Sequence, residues 1–269
     1  MLRTRILTAA LVLPPLLALI IFAPAWAIEL LVGLCCLWGL YEVGSMVAAV
    51  AAVSVAALIV TGAIPAAIGL RQSAPDLTAM LAMAAIAAMC ALTAWVNFHP
   101  SANLPRSLLV IIGGLYVGAL YPYFALLRAE THGIALLLML LLVVMAGDSG
   151  AYFVGRAIGR IKLMPAVSPG KTVEGALAYV VCGVVAAWVV KCPLRIGLSA
   201  ANAAGFGALI SVVAQAGDLA ESAFKRLAGV KDSGWLFPGH GGLLDRADSL
   251  VFAAVFAYYY SRWLGLTSA

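Results

Sequence analysis

Among the 11 acidic residues of this 269-residue chain, two pairs repeat one spacing: Asp218 with Glu221, and Asp245 with Asp248. Residues three apart on a helix share a face. Each pair would then present two carboxylates side by side, hard oxygen donors of the kind that hold Mg2+ against substrate phosphates. Cations stand among them, since Lys225 and Arg226 follow the first pair, Lys231-Asp232 comes next, and Arg246 lies inside the second pair. Plain salt bridges from the acids to Lys225, Arg226 or Arg246 would use the same residues. Between the pairs runs Pro238-Gly239-His240-Gly241-Gly242. Glycines there let a backbone approach an anion closely, with N–H groups at a helix start pointing toward it.

A second polar cluster lies upstream: Asp148-Ser149-Gly150, then Arg156, Arg160 and Lys162, then Ser168-Pro169-Gly170-Lys171-Thr172-Val173-Glu174-Gly175. Gly170-Lys171-Thr172 imitates a phosphate loop, but Pro165 stands where that motif requires glycine. Ser168, Lys171, Thr172 and backbone N–H groups ahead of a helix still form a candidate anion site. An ordinary helix cap with Glu174 in the first turn accounts for the same residues. Cys35, Cys36, Cys90, Cys182 and Cys192 show no CxxC or Cys/His pairing that suggests zinc or redox chemistry. His99 and His132 read as structural.

The elements that must carry these clusters are apolar. Hydrophobic residues make up 65% of the chain and charged ones 10%, against roughly half and a quarter in an average soluble domain. Apolar runs of about 20 residues recur, enough for a helix to cross a hydrocarbon core of about 30 Å. Spans are predicted near residues 6–23, 25–41, 46–69, 78–96, 107–127, 133–147, 176–190, 203–217 and 249–264. Pro14-Pro15 should kink the first. That first stretch, with Ala25-Trp26-Ala27 behind it, imitates a secretory signal but is too long for one, and is read as an uncleaved span. The expected fold is all-α, a polytopic integral membrane helical bundle of about nine transmembrane helices. Residues 1–147 would be scaffold, and 148–269 a catalytic region with polar segments at 148–175 and 218–248.

Charge supports that division. Residues 148–248 hold 7 of the 11 acids and 10 of the 16 bases. A charge at mid-bilayer costs at least about 2.5–3.5 kcal/mol, so charges gathered at span ends are functional candidates. A net charge of +5 and a pI near 9.0 set topology and meet anionic headgroups; no part of the chain resembles a nucleic-acid module. With Arg3 and Arg5 inside, most basic residues fall on the cytoplasmic side, and both polar segments face it. A transport path would instead place charges at mid-span.

The run Ser222 to Asp248, SAFKRLAGVKDSGWLFPGHGGLLDRAD, strongly resembles the signature of phosphatidate cytidylyltransferases, with serine, Lys-Arg, Lys-Asp, His-Gly-Gly and Asp-Arg-x-Asp at that family's spacing. DSGAYFVG (148–155) and SPGKTVEG (168–175) are similar to the same family. Small departures are Ala247 for a larger apolar residue, Gly170 for a second lysine and Val173 for tryptophan. The resemblance implies transfer of the cytidylyl group of CTP to phosphatidate, giving CDP-diacylglycerol and pyrophosphate. It implies Mg2+, with or without a second cation, held by Asp218, Asp245 and Asp248 with help from Asp148 and Glu221. Lys225, Arg226, Lys231 and Arg246 would meet phosphates. Ser168, Lys171, Thr172, Ser222, Asp232, His240, Gly241 and Gly242 would shape the substrate site. Expected partners are CTP, phosphatidate and membrane lipids, with a homodimer left open, at the cytoplasmic face of the plasma membrane. A CTP-dependent polyprenol kinase is the nearest alternative.

Overall fold

The computed structural model describes residues 2–47, 56–101, 103–237, 239 and 241–266, with only the backbone for 2–9. Among these residues ten α-helices follow in order: α1 Leu2–Phe22, α2 Ala25–Met46, α3 Ile64–Arg71 behind a π-helical turn at Ile59–Ala63, α4 Pro75–Phe98, α5 Arg106–Leu120, α6 Pro122–Ala129, α7 Gly133–Ile158, α8 Val173–Val190, α9 Ala200–Ala228 and α10 Leu244–Trp263. Between α7 and α8 an antiparallel hairpin pairs β1, Lys162–Met164, with β2, Ser168–Thr172. The described residues are thus mainly helical, and His240 lies outside them, as do 48–55 of the predicted third span.

Among the described residues six helical segments are long and apolar enough to cross a membrane: α2, α4, α5 continued by α6, α7, α8 and α9. The expected nine crossings go beyond these six. Two spans also run on where the sequence reading ended them. α7 continues through Asp148 to Ile158, and α9 through Asp218 to Ala228, so each polar segment opens as helix. At 1.5 Å per residue, the 29 residues of α9 span about 44 Å, longer than the hydrocarbon core. It is therefore long enough for one end to reach beyond such a layer.

Local sequence explains the ends of these elements. Ser199 caps α9 by accepting the Asn202 N–H at 3.1 Å, while Gly229, at φ +76°, closes it in the left-handed region. Lys225 and Arg226 occupy the last turn, where the helix dipole favours cations. On α8, Leu177, Val181, Val185 and Trp188 are exposed at the spacing of one helical face, a lipid-facing stripe. The opposite side of α8 packs between α7 and α9, and α10 packs against α9. These four helices and the hairpin carry the polar clusters.

Candidate active site

Glu221 and Lys225 lie one turn apart on α9, and both are buried. Lys225 Nζ stands 3.1 Å from Glu221 Oε1 and 2.6 Å from Asp245 Oδ1 on α10. A buried charge is tolerated when paired and hydrogen-bonded, and Tyr116 of α5 adds a donor to Glu221 Oε2 at 3.4 Å. Asp245 Oδ2 accepts the Ser233 N–H at 2.8 Å, the Ser233 hydroxyl at 2.9 Å and the Gly242 N–H at 2.8 Å. Both oxygens of Asp245 are therefore engaged. The residue secures the lysine and the loop before α10, the ion pair that the salt-bridge reading describes.

The glycine turn is built around carboxylates too. Gly241 sits at φ +85°, and a Cβ there would run into Asp245 Oδ2. A Cβ on Gly242 would strike the Ser233 hydroxyl and the carboxylate of Glu42. The N–H groups of Leu243 and Leu244 donate to Glu42 at 2.8 and 3.0 Å. The expectation that this turn aims its N–H groups at a phosphate is thus corrected for residues 242–244, whose donors are taken by Asp245 and Glu42. Glycine is needed because carboxylates, not a ligand, come this close.

Glu42 is the residue the sequence reading passed over. The predicted second span ended at Tyr41, which made Glu42 a flanking charge in the scaffold. Helix α2 instead continues to Met46 and buries Glu42 to 2% exposure. The available signal was a lone acid within an apolar run, a position that calls for a function by default.

The two polar clusters meet at a cavity of about 590 Å³ lined from α7, the hairpin, α8 and α9. Lys171 of β2 pairs with Asp218 of α9 at 2.6 Å, and Ser222 donates to Asp218 Oδ1 at 3.4 Å. Asp148 lines the same cavity, with Tyr179, Gln215 and Arg156, and lies within electrostatic reach of Asp218, Lys171 and Arg246. Thr172 also lines it, while its hydroxyl caps α8 by accepting the Gly175 N–H at 3.1 Å. Glu174 accepts the N–H groups of Arg160 and Ile161 at 3.0 and 3.2 Å, so the helix-cap reading holds there, with Lys171 left to the acids. Ser168, at the start of β2, is not part of the lining.

The remaining candidates fall around this core. Asp248 accepts the Ser249 N–H at 2.6 Å through Oδ1 and feels the charges of Asp218 and Glu221. Arg226 donates to the Val167 carbonyl at 3.3 Å, tying the hairpin to α9. Arg246, Lys231 and Asp232 are exposed, and among the described residues none of the three makes an ion pair. No group of three or more acidic, histidine or cysteine side chains among the described residues forms a ready-made metal cage. Asp148 and Asp218 line one cavity, and one or two carboxylates completed by substrate phosphates are a usual way to hold Mg2+.

Residues 3–264 match the family described as the cytidylyltransferase family. Similar curated proteins include the phosphatidate cytidylyltransferase of Bacillus subtilis, 38% identical over 151 residues that cover 56% of each chain. That of Haemophilus influenzae is 47% identical over 135 residues, covering 48% of this chain and 46% of that protein. That of Brucella suis is 39% identical over 190 residues, covering 69% and 67%. The first two matches span about half the length of those relatives.

Proposed function

The chain belongs to the cytidylyltransferase family, and from that premise we propose that it transfers the cytidylyl group of CTP to phosphatidate, releasing pyrophosphate and leaving CDP-diacylglycerol in the membrane. The observation that supports this reading most is the convergence at Lys171 and Asp218, 2.6 Å apart, which joins two polar segments at one cavity beside apolar helices. A lipid anchored by acyl chains and a soluble nucleotide can meet only at such an interfacial site.

A phosphate oxygen of phosphatidate forms the new bond to the α-phosphorus of CTP, and the bond to the β-phosphate oxygen breaks. The nucleophile is already an oxyanion, so the protein's task is to offset repulsion between two anions rather than to remove a proton. Lys171 and Arg156 stand at the cavity wall for this, with the exposed Arg246 and Lys231 nearby in the sequence of the site loop. Asp218, with Asp148 and Asp248, would hold Mg2+. Bound there, the cation supplies Lewis-acid stabilisation of charge on the transferring group. Lys225 keeps Glu221 and Asp245 in register and Arg226 holds the hairpin, so both act at one remove from the phosphates. The membrane is the plasma membrane, the site faces the cytoplasm, and the spans expected at 6–23, 46–69 and 249–264 complete nine crossings.

Two results are expected. With CTP labelled at the α-phosphorus, label enters a chloroform-soluble product only when phosphatidate and Mg2+ are both present, while γ-label leaves as pyrophosphate; γ-label in lipid would instead identify a kinase. Single cysteines at Lys162, Lys191 and Lys231, in a background without native cysteines, should react with an impermeant thiol reagent so that 162 and 231 share the cytoplasmic side and 191 reports the other. Labelling of 162 and 231 from opposite sides would dismantle the shared site.

A further inference from the structure

Four donors converge on the carboxylate of Glu42. Trp38 Nε1 and the Leu243 N–H reach Oε1 at 2.9 and 2.8 Å, and the Ser233 hydroxyl and the Leu244 N–H reach Oε2 at 2.9 and 3.0 Å. Three of the four come from the far end of the chain. The first N–H groups of a helix have no partner within it, and they carry the positive end of its dipole. In α10 the residue at the N-cap position, Leu243, offers no side-chain cap. Glu42 takes that duty from 201 residues away.

The loop before α10 is shaped to receive it. Cβ atoms at Gly234 and Gly242 would both run against the Glu42 carboxylate. Ser233 lies between Glu42 Oε2 and Asp245 Oδ2, 2.9 Å from each; its single hydroxyl hydrogen serves one of the two acids at a time, while its oxygen accepts the Asp245 N–H at 3.3 Å. Trp38 also sets its ring against Trp235 of the same loop, centroids 6.4 Å apart. Six of the hydrogen bonds at the start of α10 and in the loop before it thus end on Glu42 or Asp245.

We propose that Glu42 is a positioning residue for the reaction: by capping α10 and bracing the Ser233–Gly242 loop, it sets the depth and rotation at which α10 presents Asp245 and Asp248 to α9. This rests on the cytidylyl-transfer reading, and it assigns a part in that reaction to the half of the chain that otherwise serves as scaffold. A glutamine at position 42 keeps the shape but places an amide N–H2 where one pair of donors needs an oxygen. The start of α10 then shifts, and misplacement of about 1 Å can cost about 100-fold in rate.

The test measures kcat, KM for CTP and thermal unfolding on purified protein in detergent for E42Q and V43A. Val43 is the fully buried neighbour on α2, so V43A loses packing without touching the loop. E42Q is expected to lower kcat by about 10- to 100-fold with KM for CTP within about threefold of wild type, whereas V43A lowers the unfolding temperature and keeps kcat within about twofold. An E42Q enzyme with wild-type kcat, or activity losses in both variants that follow their unfolding temperatures, would overturn the positioning role. If E42Q does not fold, W38F carries the test, since it deletes one donor to the same carboxylate: a fall in kcat of about threefold or more supports the role, and unchanged kcat overturns it. Wild-type protein that forms no lipid product from CTP and phosphatidate would overturn the assigned reaction itself, an outcome distinct from active wild type with an indifferent E42Q.

Discussion

Asp218→Asn and Asp248→Asn are each expected to lower turnover about 100- to 1,000-fold, a loss of roughly 3–4 kcal/mol of transition-state stabilisation. A neutral amide is a poor ligand for a hard cation, and neither change removes packing volume. Asp218 has further reason to be sensitive, because Lys171 stands 2.6 Å from its carboxylate; losing that charge would release the lysine as well. Asp148→Asn should cost less, since Asp148 lines the cavity without a direct ionic partner among the described residues. Asp245→Asn should differ in kind. It leaves Lys225 with Glu221 alone and disturbs the contacts to Ser233 and Gly242, so activity and unfolding temperature should fall together. Assays at saturating CTP and Mg2+, alongside thermal unfolding, separate these patterns. Near-normal turnover for both Asp218→Asn and Asp248→Asn would remove them from any essential cation site.

Lys225→Met should have the largest effect on stability. The ammonium is the only cation within salt-bridge distance of Glu221 and Asp245 among the described residues, and both acids are buried. Removing one partner of a buried pair typically costs about 3–5 kcal/mol, because the other charge stays behind without compensation. A lower unfolding temperature and loss of activity should result. The triple variant Lys225→Met, Glu221→Gln, Asp245→Asn removes the whole charged group and is expected to recover much of the stability but none of the activity, since neutral replacements of buried ion pairs often fold well. Wild-type unfolding temperature for Lys225→Met would show that the pair contributes nothing to holding α9 and α10 together.

Much of this arrangement was legible in the sequence. Apolar runs announced the helices, and the spacing of Asp218 with Glu221 and of Asp245 with Asp248 put each pair on a helix bearing charged partners. The polar segments flanking α8 and α9 were expected on one side, which agrees with the contact between Lys171 and Asp218. What failed was assignment of partners. Spacing tells which acids share a face and names Lys225, Arg226 and Arg246 as possible partners, but not that Lys225 alone bridges Glu221 and Asp245 across two helices. Glycines in the Gly239–Gly242 turn signalled close approach without saying what approaches, and a carboxylate explains Gly241 and Gly242 as well as a phosphate would. Hydropathy also ends a span where charge begins, so it stopped α7 before Asp148 and α9 before Asp218, and it left Glu42 outside α2. The hairpin at 162–172 escaped notice because three- and five-residue strands rich in Gly, Pro and Lys carry no alternation to read.

The tie between Glu42 and Leu243 also has a meaning in time. Ribosomes add about 5–20 residues per second, so the 201 residues between them take about 10–40 s to make. For most of that interval Glu42 has only the Trp38 indole of its four donors. A growing chain must therefore keep this helix near the headgroups, or shelter it within the insertion machinery, until α10 emerges. Protein truncated ahead of Leu243 would permanently lack the N–H groups of Leu243 and Leu244 that close on this acid.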